Sequence, residues 1–202
     1  DLTRPNPLEV NPLDKNAIVD WLESNPNNIW ALNATCANLI EEKKYIEAIP
    51  LLEKSIQLHP RQRGGNSPYG MLSMVHRELG RADDELIVLE KWAAIEDSAT
   101  KLYERLMEIY ADKEDWSSVE RAAKRFFSAN PLSPVSHRFM ALKSQKTDDN
   151  ESSIRPLKRL LLLNPADPVD LHFRLASALV DRSPEEAKRH VLQALEDAPR
   201  FR

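Results

Sequence analysis

Apolar side chains recur along this chain at spacings of three and four, broken by short polar stretches, which is the period of amphipathic helices and not of strands. Leu32, Thr35, Cys36 and Leu39 form one such stripe, and Ala48, Leu52 and Ser55 form the next. The pattern returns with Leu72, Ser73, His76 and Leu79 followed by Leu86 and Leu89, then with Tyr103, Leu106, Met107 and Tyr110 followed by Trp116, Val119, Ala123 and Phe126. It returns again with Phe139, Met140, Ala141 and Leu142 followed by Ile154, Leu157 and Leu160, and lastly with Leu175, Ala176 and Leu179 followed by Ala187, Val191 and Ala194. Five pairs of helices are therefore predicted in an all-α chain. The stripe of Ile18 and Trp21 has only one helix, expected from Leu13 to Ser24 as a cap on the first pair.

Prolines set the period. Pro26 and Pro60, Pro131 and Pro165, and Pro165 and Pro199 are each 34 residues apart, whereas Pro60 and Pro131 are 71 apart, two periods plus three residues. An unmarked boundary is thus expected near Asp97, with a short insertion at 61–65 that holds two of the four glycines. The expected organisation is an extended segment and capping helix over 1–26, then five units over 27–60, 61–97, 98–131, 132–165 and 166–199. Ser183 followed by Pro184 and Glu186 reads as an N-cap, a proline where no amide donor is needed, and a glutamate returning to the cap. Ser133 with Pro134 and Asp167 with Pro168 predict helix starts of the same kind. Pro50 and Pro156 fall within second helices, where slight bends are expected. With so few glycines, few positions should use left-handed backbone.

The units resemble the tetratricopeptide repeat. Residues 45–60, Tyr-Ile-Glu-Ala-Ile-Pro-Leu-Leu-Glu-Lys-Ser-Ile-Gln-Leu-His-Pro, look like the second helix of such a repeat almost residue for residue, and Leu79, Gly80, Arg81 and Ala82 resemble the turn between its helices. Departures are Asp97 in place of the closing Pro, and Glu85 and Ser153 in place of the usual Ala. The resemblance implies a right-handed superhelical α-solenoid of stacked helix-turn-helix units, whose first helices line a concave groove. Family geometry would put Trp30, Asn33, Ala37, Met71, Met74, Lys101, Arg105, Glu108, Arg138, Phe139, Leu142, Phe173 and Arg174 on or near that groove. The implied function is a non-enzymatic scaffold that binds a peptide or helix of another protein. The alternative is a structural spacer or self-association module within a larger protein, joined through apolar surface on the last hairpin. Some family members clamp the C-terminal carboxylate of chaperones. Lys101 and Arg105 match two of those clamp positions, but Asn33, Ala37 and Met71 stand at the other three and do not reproduce it.

Charge and composition narrow the choice. With 28 basic and 32 acidic residues the net charge is -4, which argues against a phosphate-backbone binder, so nucleic acid is not an expected partner. The charge is uneven: residues 1–119 carry 13 basic and 21 acidic groups, residues 120–202 carry 15 and 11. An acidic ligand segment would be steered to the C-terminal half through Arg138, Arg174 and Lys143. The single Cys36 sits on a core stripe and is expected to be an inert buried thiol. The five histidines are scattered with no metal-ligand spacing, and His76 occupies a core position. No phosphate-loop, dinucleotide, zinc-protease or nucleophile-elbow motif is present, and no catalytic residue, metal or cofactor is expected. The loop at 61–70 is read as an irregular connection, anion binding by its amides being the less favoured reading. No apolar run is long enough to span a bilayer and no targeting signal is visible, so membrane insertion of this segment is not expected and the cytoplasm is weakly favoured. The start at Asp1 suggests a piece of a longer chain.

Overall fold

The computed structural model describes residues 14–64, 66–163 and 165–198. The expected extended segment over 1–13, Leu13 included, and the expected end at 199–202 lie outside the described residues. Eleven helices, and no strand, occur among those described: α1 (Lys15–Ser24), α2 (Ile29–Glu41), α3 (Tyr45–Leu58), α4 (Pro68–Glu78), α5 (Ala82–Ala93), α6 (Thr100–Asp112), α7 (Trp116–Ala129), α8 (Val135–Lys146), α9 (Asn150–Leu162), α10 (Pro168–Leu179) and α11 (Pro184–Asp197). After α1 they follow one another as five hairpins. The second helices begin at 45, 82, 116, 150 and 184, so the 34-residue period holds except across the insertion.

The helix starts show which local signals were obeyed. Asp14 accepts from the amides of Asn16 and Ala17, Asn28 from Ala31, and Asp167 from Val169 and Asp170, each satisfying donors the first turn leaves open. Ser67 caps α4 with Pro68 in its first turn. Two expected caps differ. Ser183 occupies the cap position of α11 without a side-chain bond, and Glu186 pairs with Lys158 of α9 at 2.6 Å instead of returning to the cap. Pro134, not Ser133, stands in the cap position of α8, with Ser133 Oγ accepting from Val135 at 3.4 Å. Pro50 and Pro156 do lie inside α3 and α9.

Left-handed backbone is rare among the described residues, as expected, but at the hairpin turns it is not confined to glycine. Lys43, Gly80, Glu114 and Asp148 all have positive φ, at 59°, 68°, 57° and 51°, and three of them are not glycine. In each turn the next amide reaches back over the helix end: Lys44 N–H to Leu39 O, Arg81 to His76, Asp115 to Tyr110 and Asp149 to Ser144. These bonds satisfy carbonyls that the helix end would otherwise strand, and they hold side chains in a conformation that costs roughly 1–2 kcal/mol outside glycine. The fifth turn is built differently, with Ser183 N–H bonded to Leu179 O at 2.7 Å. Glu114→Gly should therefore stabilise the protein by about 0.5–1 kcal/mol, the relief of strain exceeding the entropy glycine adds to the unfolded chain, read as a shift of the urea midpoint.

The described helices form two compact units that divide between Leu102 and Tyr103, within α6. In the first, α1 packs on α2, α2 on α3, α3 on α4 and α4 on α5, and α2 also touches α4. Its interior includes Ala31, Leu32, Cys36, Ala48, Leu52, Leu72 and Val75. In the second, α7 packs on α8, α8 on α9, α9 on α10 and α10 on α11, around a cluster of Ala141, Leu157, Leu160, Leu171, Leu175, Ala176, Leu179 and Ala187. A buried leucine such as Leu52 or Leu175 contributes roughly 1.5–3 kcal/mol. The helix α8 departs from the expected stripe: it buries Ser136, Ala141 and Ser144, while Phe139, Met140 and Leu142 are only half-buried.

The fourth residue of every second helix, Ala48, Glu85, Val119, Ser153 and Ala187, is buried. Where alanine is replaced by a polar residue, the polar group is satisfied. Ser153 Oγ donates to Asn150 O at 2.6 Å, and the Glu85 carboxylate accepts from Arg77 Nε at 2.9 Å. Removing the arginine takes a charge-assisted bond from a fully buried carboxylate, whereas removing the carboxylate leaves an arginine that water can reach. Arg77→Ala should consequently lower the urea midpoint more than Glu85→Ala.

Candidate partner-binding clefts

Three open clefts bear on the expected groove, each contained within one unit. The first, of about 870 Å3, lies along α2 and α4. Because α2 and α4 are successive first helices in contact with each other, side chains a turn apart on each face one trough. Trp30, Asn33 and Ala37 from α2 meet Met71 and Met74 from α4 here, with Ile40, His59 and Gln62 at its margins. No Lys, Arg, Asp or Glu lines it. A hydrogen-bonded chain fixes its polar floor: Ser55 Oγ donates to Asn33 Oδ1 at 2.7 Å, and Asn33 Nδ2 donates to Gln62 Oε1 at 3.3 Å. The loop leading to α4 closes on the protein's own anion, since Gly64 N–H donates to Glu96 Oε2 at 3.3 Å. Ser98 hydrogen-bonds the same carboxyl group, which is thereby held below the usual carboxylate range.

The second cleft, of about 590 Å3, runs between α8 and α10 over Ala141, Leu142, Leu160 and Leu171. Arg138 and Arg174 line it from the two helices, together with Asp167 and Asp170. Arg174 is 3.7 Å from Asp170, and Arg138 has no ion pair among the described residues. Lys143, expected to serve the same acidic ligand, is committed elsewhere: it binds Glu120 of α7, which also holds Lys124 at 2.6 Å. The third cleft, of about 700 Å3, shares Asp167 and Asp170 with the second, and Phe173 lines it with Val169, with Val191, Ala194 and Leu195 of α11 and with Ala198 at the end of that helix. The remaining expected residues line none of the three. Arg105 is paired with Glu108 at 2.9 Å, Lys101 is exposed on α6, and Phe139 is half-buried on α8.

Titratable groups away from the clefts are mostly structural. Cys36 is fully buried and its thiol is pushed up to about 12 by desolvation, so it is unreactive. His76 is buried as expected, with its nearest carboxylate, Asp84, at 3.9 Å. The histidines scattered in sequence include one pair that folding brings together: His172 Nδ1 and His190 Nδ1 are 2.9 Å apart across α10 and α11. Burial, and then the neighbouring His172, lower the pKa of His190. The 18-residue separation of the two carries no periodic signal, so only the hairpin reveals it. No group of three or more metal-ligating side chains is gathered among the described residues, and none of their helices is long and apolar enough to cross a membrane.

This geometry is that of the tetratricopeptide repeat proteins, an all-α solenoid of stacked helical hairpins. Among solved structures, YrrB, a TPR protein with an unusual peptide-binding site, matches with a TM-score of 0.67 at 12% identity over 93% of this chain and 95% of that one. A MamA structure matches with a TM-score of 0.59 at 14% identity, over 81% and 94%. MamA from Desulfovibrio magneticus RS-1 matches with a TM-score of 0.58 at 12% identity, over 86% and 97%. At these identities the likeness is one of fold. No protein-family model matches the chain. No curated protein matches it either.

The junction of α7 and α8 carries a pH dependence. Hydrogen bonds from Lys124 and Lys143 push the Glu120 carboxyl down from 4.5 to about 2. A carboxyl depressed by folding stabilises above its unfolded pKa and loses that effect as pH falls toward the folded value. Urea titrations should show Glu120→Gln less stable than the wild type at pH 7, with the gap closing between pH 4.5 and pH 2.

Proposed function

We propose that this chain is a non-enzymatic protein-interaction scaffold and that the α2/α4 cleft holds an apolar stretch of a partner polypeptide. The observation that carries this reading is the meeting of Trp30, Ala37, Met71 and Met74 in an open trough without a formal charge. The Trp30 ring offers a large contact area at little cost in ordering, and methionine adapts to irregular ligand surfaces. Asn33, tied to Ser55 and Gln62, supplies fixed polar atoms at the floor, which suits an extended backbone running over it. The likeness to YrrB, a protein with a peptide-binding site, supports the same class of ligand.

Arg138 favours a second reading for the α8/α10 cleft, an acidic partner segment held by Arg138 and Arg174. Such contacts act chiefly on encounter and weaken with salt. Lys101, Arg105, Phe139 and Phe173 have no part in either cleft.

The test is peptide selection from a displayed library on the wild-type protein, followed by affinity measurement. Selected peptides should be rich in apolar residues and should bind Met71→Glu with Met74→Glu at least tenfold more weakly, while the variant keeps the wild-type melting curve. Undiminished binding by that variant refutes the α2/α4 assignment. Peptides that depend on Arg138 should lose affinity as salt rises, and a flat salt profile would refute the acidic-segment reading.

A further inference from the structure

We infer that the insertion after Pro60 is the specificity-determining lip of the α2/α4 cleft, in which Gln62 donates to a main-chain carbonyl of the bound polypeptide and Glu96 is the residue that positions the lip. The inference rests on the reading of that cleft as a polypeptide site, and adds which ligand atom is read and by what.

The insertion is where this chain departs from its own period. The connection from α3 to α4 runs over 59–67, whereas the later connections of the same kind run over 94–99, 130–134 and 163–167. Its extra length supplies part of the cleft wall, since Gln62 and Asn66 line the cleft beside Trp30, Met71 and Met74. Three contacts tie it down: Tyr69 Oη donates to Pro60 O at 3.1 Å, Ser67 N–H to Gly64 O at 3.0 Å, and Gly64 N–H to Glu96 Oε2 at 3.3 Å. The first two come from α4 and its cap. The third comes from beyond α5, from a buried carboxylate whose other oxygen, Oε1, accepts from Ser98 N–H at 3.1 Å and Ser98 Oγ at 2.7 Å. Glu96 is thus fixed on its own side and free to act as an anchor for the lip.

Gln62 lies two residues before the anchored amide, and its side chain has a set polarity. Ser55 Oγ donates to Asn33 Oδ1, which turns the Asn33 amide nitrogen toward Gln62 Oε1. The Gln62 oxygen is therefore occupied, and its Nε2 is the end of the chain that has no partner among the described residues. An amide N–H at the wall of an apolar cleft loses its water when a ligand arrives, so the ligand must offer an acceptor there. No Lys or Arg lines the cleft to neutralise a carboxylate. A neutral carbonyl is the acceptor that matches, and an extended segment lying over Asn33 and Gln62 carries one at every residue.

The probe is the tightest peptide from the displayed library, made with an acetylated N-terminus and an amidated C-terminus. Gln62→Ala should keep the wild-type melting curve and bind it about fivefold more weakly. Gln62→Glu should lose more, because the carboxylate still accepts from Asn33 but has nothing to donate. Replacing the probe's carbonyl oxygens by sulfur, a poorer acceptor, one at a time should cost about fivefold at one position with the wild type and nothing there with Gln62→Ala. Glu96→Gln should speed amide exchange at Gly64 and weaken binding about threefold, with no further loss when Gln62 is already alanine. Ser98→Ala, at an exposed position, should do the same more weakly. A merely structural loss would appear in both backgrounds, and that outcome overturns the positioning role of Glu96. Undiminished binding by both Gln62 variants, the absence of any sulfur-sensitive position, or tighter binding of the probe with a free C-terminal carboxylate overturns the donor role of Gln62. Each of these is distinct from failure of the cleft reading itself, in which Met71→Glu with Met74→Glu binds the probe as the wild type does.

Discussion

No helical hairpin in this chain can hide its own apolar stripe, and that deficit organises everything else. Two antiparallel helices cover one side of each other and leave a second side open, which only another helix can close. The residues that do the closing recur in register. Leu52, Ala123 and Leu157 stand at the same step of α3, α7 and α9, and each is buried where the next first helix arrives. Stability is therefore a property of contacts between neighbours, and the surfaces left over are dictated by where neighbours are missing or held apart.

Those leftover surfaces differ in chemistry because the packing positions constrain only part of each helix. Along α2 and α4 the free positions hold Trp30, Ala37, Met71 and Met74, an uncharged trough. Along α8 and α10 they hold Arg138 and Arg174 with Asp167 and Asp170 over a leucine floor. One scaffold thus presents an uncharged surface in one unit and a charged one in the other. The polar groups that might have competed with these surfaces are largely occupied. Lys143 is taken by Glu120, Arg105 by Glu108, and the loop amide of Gly64 by Glu96.

Departures from the repeat pattern are where the structure is most informative. Glu85, in a position otherwise held by small or apolar side chains, is buried with its carboxylate on Arg77. Lys43, Glu114 and Asp148 take left-handed backbone that glycine takes at Gly80, because the bond closing the helix end requires that conformation whatever the side chain. Residue type understates this constraint: a hairpin turn repeated by geometry can be filled by residues that dislike it, if the flanking helices are held by packing.

Read alone, the chain determined its helices. The spacing of apolar residues and of prolines is enforced locally, by 3.6 residues per turn and by the missing proline donor, so the hairpins and their period were visible in the order of residues alone. The resemblance to the tetratricopeptide repeat implied that Trp30, Asn33, Met71 and Met74 share a surface, and the four line the α2/α4 cleft. What tertiary structure decided is which side chains are spoken for. The binding of Lys143 by Glu120, the meeting of His172 with His190, the retreat of Phe139 and the exposure of Phe173 outside the α8/α10 cleft all depend on distances between helices. Those distances are set by how side chains of unequal size interlock, and a one-dimensional pattern of apolar and polar positions does not contain them.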